Sequence, residues 1–183
     1  MVLTLIGYRA TGKTTLARLL ASRLGWDWID ADVEIERRAG KSIAQIFAED
    51  GEPAFRDLEA QTIADLCHRD RLVLAAGGGA PLRPESRRAM REGGSVVWLT
   101  ARPETILARM SGDDTTATRR PNLTDRGPLE EILQLLDRRE PIYRESAHWT
   151  VDTEGKQPAE LAAEIVELLG LNHVPEPRQN RSE

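Results

Sequence analysis

The 183-residue chain contains one cysteine, Cys67, so no disulfide can close within it. A lone thiol between Leu66 and His68, in a helical pattern, reads as a small semi-buried packing residue rather than a nucleophile. Lysine is nearly as scarce. Lys13, Lys41 and Lys156 stand against 22 arginines, so each lysine position carries information. No apolar run approaches the length of a membrane span, and no internal repeat is visible. A strand-like run begins at residue 2, which leaves no room for a signal peptide. The formal charge of −5 offers no general electrostatic reason to bind nucleic acid or a membrane surface. These absences point to a cytoplasmic enzyme, expected to be a monomer.

What is present alternates strand and helix, the pattern of an α/β protein built on a parallel sheet. Residues 2–6, 72–76 and 95–100 are near-continuous apolar runs, as in strands covered on both faces. Residues 26–30 and 149–152 are weaker strands. Helices are expected at 14–24, 31–39, 42–49, 53–69, 84–92, 103–111, 128–146 and 158–169, with Gly25 and Gly40 suited to helix ends. Residues 1–171 form one domain of a size that supports a proper core. The segment at about 112–127 has no apolar period and reads as a mobile lid. The polar, proline-containing tail 172–183 reads as disordered.

Residues Gly7-Tyr-Arg-Ala-Thr-Gly-Lys-Thr14 make a complete phosphate-binding loop between a strand and an amphipathic helix. Its free N–H groups and the positive end of the helix suit a nucleoside triphosphate. Lys13 is expected to reach the β- and γ-phosphates, and the Thr14 hydroxyl to ligate Mg²⁺. Asp30 and Asp32 flank the end of the second strand, where ligands of parallel sheets gather. One of them can organise Mg²⁺ through water and the other orient an attacking hydroxyl, although either can instead cap the following helix.

Gly77-Gly78-Gly79 closes the third strand, offering unusual backbone angles and close approach of a ligand to main-chain N–H groups. Arg56 taken alone would be a surface arginine paired with Glu59. Arg139 lies along the apolar seam Ile132, Leu136, Tyr143 of its helix, where a guanidinium is costly unless it meets an anion. A buried structural ion pair is the other account of it. Pro141 removes a helical hydrogen bond and is expected to kink that helix. In the lid, Arg120 or its neighbour Arg119 can bring a charge to a transferring phosphoryl group.

Taken together the chain resembles the shikimate kinase family from residue 1 to about residue 170. The loop at 7–15, Asp30-Ala-Asp32-Val, Gly51–Arg56, Gly77-Gly-Gly-Ala80, Arg120-Pro121 and Arg139-Glu-Pro-Ile-Tyr143 occur in the family's order. The resemblance implies a three-layer P-loop fold, like that of nucleoside-monophosphate kinases, with a five-stranded parallel sheet in the order 2-3-1-4-5. It implies ATP-dependent phosphorylation of the 3-hydroxyl of shikimate, on the route to chorismate and aromatic amino acids. Carried over, Lys13, Asp32 and Arg120 are the catalytic residues. Ala10, Thr11, Gly12, Lys13, Thr14, Thr15, Arg120 and Lys156 are the ATP ligands; Asp32, Arg56, Gly78, Gly79 and Arg139 hold shikimate; Thr14 and Asp30 serve Mg²⁺.

Three departures stand out. Ala10 replaces a glycine common in the family, the lid is longer before its arginine, and Met110 occupies about the place of an adenine-stacking arginine, with Arg109 beside it. A sibling kinase for another hydroxylated acceptor such as gluconate, or a nucleotide-driven regulatory module, are the competing readings.

Overall fold

The computed structural model describes residues 1–112 and 127–171. The interior of the expected lid, with Arg119 and Arg120, and the expected tail 172–183 lie outside the described residues. Five strands, β1 (Val2–Ile6), β2 (Asp27–Asp30), β3 (Leu72–Ala75), β4 (Gly94–Thr100) and β5 (Trp149–Asp152), form one sheet in the order β2-β3-β1-β4-β5. Every pairing is parallel.

β1 lies at the centre, and all five of its residues are buried. Because side chains alternate along a strand, it feeds two cores at once. Leu3 and Leu5 join Leu16, Leu20, Leu161 and Ile165 on one face; Val2 and Ile6 join Ile63, Leu66, Met90 and Tyr143 on the other. The first layer is built by α1 (Lys13–Leu24) and a C-terminal helix, α8 (Pro158–Leu168). The second is built by α4 (Gly51–Cys67), α5 (Pro84–Gly93) and α7 (Pro128–Ser146). Three shorter helices, α2 (Ala31–Ala39), α3 (Ile43–Glu49) and α6 (Pro103–Ser111), complete the set among the described residues. Helix limits agree with the sequence expectation to within two residues. α1 and α2 stop at Gly25 and Gly40, both in the left-handed conformation. α7 runs on as a single helix through Pro141, whose ring faces outward at an exposed position.

The register places Leu5 beside Ala75, and Ala75 beside Asp30. Three adjacent strands therefore end level on one rim, and the segments that follow them emerge side by side. β1 is also where the chain reverses its direction of travel across the sheet, the position at which α/β sheets open a crevice. The phosphate loop starts there.

Cys67 is buried at the end of α4, and that burial pushes its thiol up to about 11. At pH 8 almost none of it is thiolate, and the thiolate is the reactive form. Native protein is therefore expected to react with a disulfide reagent at least about 100-fold more slowly than a free thiol. Denatured protein should react at the ordinary rate, which stopped absorbance kinetics with and without urea will show.

Candidate active site

The loop after β1 turns sharply at Gly7, whose φ is +138°, because the main chain of β4 crosses directly behind it. A side chain at this position would run into the Leu99 carbonyl, so the sequence needs glycine. The buried Thr11 hydroxyl donates to the Tyr8 carbonyl at 2.8 Å and braces the turn from inside. The Lys13 ammonium donates to the carbonyls of Gly7 (3.0 Å) and Tyr8 (2.7 Å), which keeps it over the mouth of the loop.

Asp30 does two jobs. One carboxylate oxygen accepts the Thr14 hydroxyl at 2.6 Å; the other accepts the Asp32 main-chain N–H at 3.0 Å and caps α2. The helix-capping account of this aspartate is therefore correct, and it coexists with a direct link to the phosphate loop. Asp32 follows in the first turn of α2, half-buried, with its carboxylate near the positive end of that helix. Thr14 with Asp30 has the chemistry of a site that shares a hard divalent cation with phosphate oxygens and water. Among the described residues no cluster of three or more His, Cys, Asp or Glu side chains could hold a metal by itself. A cation here would thus depend on the nucleotide for ligands.

Gly77–Gly79 are buried, but none has a positive φ. The expectation of unusual backbone angles fails; what the glycines provide is space. A methyl group on Gly79 would overlap the Arg56 guanidinium, approaching its Cζ to 2.8 Å. One on Gly78 would stand 3.3 Å from the Gly7 carbonyl oxygen and 3.6 Å from the Arg9 nitrogen. The triplet is packed between α4 and the phosphate loop.

Arg56 does pair with Glu59 (2.6 Å) and Glu52 (3.1 Å), yet it is no surface residue, with only 11% of its side chain exposed. Burial opposes its charge, but the two carboxylates outweigh burial and hold it more firmly cationic than usual. On the other side, the buried Tyr143 hydroxyl donates to the Gly78 carbonyl at 2.6 Å, and Arg139 Nη1 approaches the same oxygen at 3.5 Å. Among the described residues no carboxylate pairs with Arg139. Its half-buried charge is left for something else, which excludes the structural ion pair as its explanation among those residues.

A cavity of about 380 Å³ opens beside the phosphate loop, lined by Ala10, Thr11, Gly12 and Thr15. Its far wall is Arg109, Thr153, Lys156 and Pro158. Lys156 is held there by Glu164 at 2.7 Å. Arg109 donates to both the hydroxyl (3.0 Å) and the carbonyl (3.1 Å) of Thr153, which fixes its plane. Met110, one residue on, packs instead against the Tyr8, Ile106, Ile132 and Leu136 cluster. The guanidinium at the cavity wall is therefore that of Arg109, while position 110 is turned into the apolar cluster.

Comparison with known proteins agrees with this geometry. The sequence profile described as shikimate kinase matches residues 9–170. A shikimate kinase of Rhodopirellula baltica is 44% identical over 164 residues, covering 90% of this chain and 88% of its own. One from Oleidesulfovibrio alaskensis is 45% identical over 166 residues, covering 90% and 95%. The chain belongs to the shikimate kinase family. A solved shikimate kinase from Acinetobacter baumannii, in complex with shikimate, superposes with a TM-score of 0.86 at 37% identity, covering 95% of each chain. A gluconokinase from Sinorhizobium meliloti, at 14% identity and a TM-score of 0.53, covering 92% of this chain and 91% of its own, shares the fold alone.

Within the shikimate kinase fold of this chain, two site features had little sequence signal. Thr153 is an ordinary residue after a short strand, and Arg109 is marked only by its adjacency to the position where an arginine was expected. Ala10 has a distinct cost. It adopts φ +60°, the left-handed region, where a Cβ is strained by about 1–2 kcal/mol. Ala10→Gly removes the strain but loosens the unfolded chain, which offsets about 0.5–1 kcal/mol of the gain. The variant is expected to be more stable by up to about 1 kcal/mol, as urea unfolding will show, with its nucleotide affinity preserved in titration calorimetry.

Proposed function

We infer that the chain transfers the γ-phosphoryl group of ATP to the 3-hydroxyl of shikimate, giving shikimate 3-phosphate and ADP. The observation that carries this reading is Arg139, a half-buried guanidinium beside Gly78 without a carboxylate partner among the described residues. A carboxylate-bearing acceptor supplies the missing anion. Arg56 lies against Gly79 on the opposite side of the same glycine loop, which supports a pocket bracketed by two cations. Because the loop also touches Gly7 and Arg9, that pocket adjoins the phosphate loop. A phosphate-only switch protein has no use for a second anion site.

In this reading the acceptor lies on the glycine loop, its carboxylate between Arg56 and Arg139, its hydroxyls toward Asp32. Asp32 accepts the proton of the 3-hydroxyl as that oxygen bonds to the γ-phosphorus, while the bond to the β-phosphate oxygen breaks in line. Lys13 follows the phosphates as a mobile point charge, and the loop N–H groups neutralise charge on the leaving diphosphate. Mg²⁺, where bound by Thr14 with Asp30 behind it, would add charge neutralisation at the β- and γ-oxygens. Lys156 and Arg109 face the nucleoside end of the cavity. Arg120 is assigned the lid charge on the strength of the sequence alone. Work in the cytoplasm as a monomer is part of the same proposal. Among the described residues no helix is long and apolar enough to cross a membrane.

The two pockets make separable predictions. Arg139→Ala should weaken shikimate binding by about 2–4 kcal/mol, or 30- to 1000-fold, because it strips a buried charge-assisted pair. ATP affinity should stay within about threefold, since nothing else in that pocket changes. Unchanged shikimate affinity would remove Arg139 from the site. Lys13→Met should instead lower kcat by at least about 1000-fold while sparing shikimate binding. A wild-type rate from that variant contradicts the phosphate-loop assignment. Coupled ADP-release kinetics and calorimetry on both variants give the answer, with gluconate in place of shikimate as the control acceptor.

A further inference from the structure

Arg9, within the phosphate loop, and Glu131, in the first turn of α7, form an ion pair that none of the roles above uses. Arg9 Nη2 donates to Glu131 Oε1 at 3.2 Å. Only 2% of the Glu131 side chain and 20% of the Arg9 side chain are exposed. Residues 122 positions apart are thus joined inside the protein, where a charge is tolerated only if its partner stays in place.

The surroundings show what the pair connects. Tyr8, next in the loop, is buried among Ile106, Ile132 and Leu136, and the Arg9 guanidinium lies 5.7 Å from its ring centre. The Tyr8 phenol is raised above its ordinary value chiefly by burial, and it feels the charges of Arg9, Arg139 and Glu131 together. The Arg9 main chain also packs against Gly78. Along α7, Glu131 and Arg139 stand eight residues (two turns) apart on one side of the helix. One end of this helix is therefore tied to the loop that holds the phosphoryl donor; further along, it carries the arginine assigned to the acceptor.

We propose that the Arg9–Glu131 pair is a positioning device that sets the separation of the phosphate loop and α7, and with it the distance from the γ-phosphorus to the acceptor oxygen. The proposal rests on the reading that Arg139 holds the acceptor's carboxylate. In-line transfer needs the reacting atoms about 3–3.5 Å apart, and an error of about 1 Å can cost about 100-fold in rate. The apolar contact of Tyr8 with Ile132 and Leu136 resists separation but allows sliding. The charge-assisted hydrogen bond from Arg9 Nη2 to Glu131 Oε1 has a fixed length and direction, so it resists both.

The test is steady-state and single-turnover kinetics per folded protein, with titration calorimetry for shikimate and ADP and thermal unfolding. Glu131→Gln is expected to lower kcat 10- to 100-fold and leave both affinities within threefold. The double variant Arg9→Met/Glu131→Leu removes both charges of the pair together and is expected to fold even where Glu131→Gln does not. Its kcat should drop by the same factor as the single variant rather than by a product of two factors, because the pair acts as a unit. Arg9→Lys, which keeps the charge and can still make a single bond to Glu131, should retain at least a tenth of the wild-type rate.

A lowered melting temperature with unchanged kcat in the folded fraction would make the pair merely structural and overturn the proposal. So would a slow Arg9→Met variant beside a fully active Glu131→Gln, which would make Arg9 a direct substrate ligand. Arg139→Ala binding shikimate as well as wild type does would remove the acceptor reading, and the proposal with it. That outcome is read from Arg139→Ala alone, independently of the Arg9 and Glu131 variants.

Discussion

The parallel pairing of β1 between β3 and β4 is the constraint on which the rest of the molecule depends. With every β1 side chain buried, a slip of one residue would exchange Leu3 and Leu5 with Val2, Thr4 and Ile6, and mismatch both cores at once. Register is therefore fixed, and the level ends of β2, β3 and β1 follow from it. The phosphate loop, Asp30 and the glycine triplet are neighbours because they leave those three ends. Substrate pockets made this way inherit the stiffness of the sheet.

What the sheet does not position, α7 must. This helix reaches the rim from outside the β1–β3 group, and beyond its apolar packing three of its side chains bond to the loops there. Tyr143 donates to the Gly78 carbonyl, Arg139 leans on the same oxygen, and Glu131 holds Arg9. Removing the phenol would leave the Gly78 carbonyl with only the long 3.5 Å contact from Arg139. The glycine loop is thus gripped between α4 through Arg56 and α7 through Tyr143. Its lack of side chains is what lets two helices approach one backbone so closely.

Much of this was legible in the sequence, and the reasons differ by element. β1, β3 and β4 are covered on both faces, so their apolar runs are continuous; β2 and β5 are edge strands with exposed positions, and their signal was correspondingly weak. Arg139 was visible because a cation on an apolar seam contradicts the helix around it. Half of the reading of the glycine triplet fails: its angles are ordinary, and Gly79 provides clearance for the Arg56 guanidinium. Arg56 itself looked like a surface residue because its partner Glu59 is local, while its burial comes from a loop more than twenty residues on. The Arg9–Glu131 pair left no trace in the sequence, since nothing within either segment requires the other.

The imbalance between arginine and lysine acquires a physical meaning at this site. Arg9, Arg56, Arg109 and Arg139 all make directional contacts: one bond to Glu131, two nitrogens on Glu52 with a third on Glu59, a plane held by Thr153, a lean on a carbonyl. A planar guanidinium with several donors loses little freedom for each bond it makes, so it suits parts that must not move. Of the three lysines, Lys41 and Lys156 form half-exposed pairs with carboxylates. Lys13 donates to two main-chain carbonyls at the loop mouth. Charge that must follow a group from donor to acceptor needs a compact head on a flexible stem. The chain holds its framework with arginine, and the residue proposed to follow the phosphates, Lys13, is a lysine.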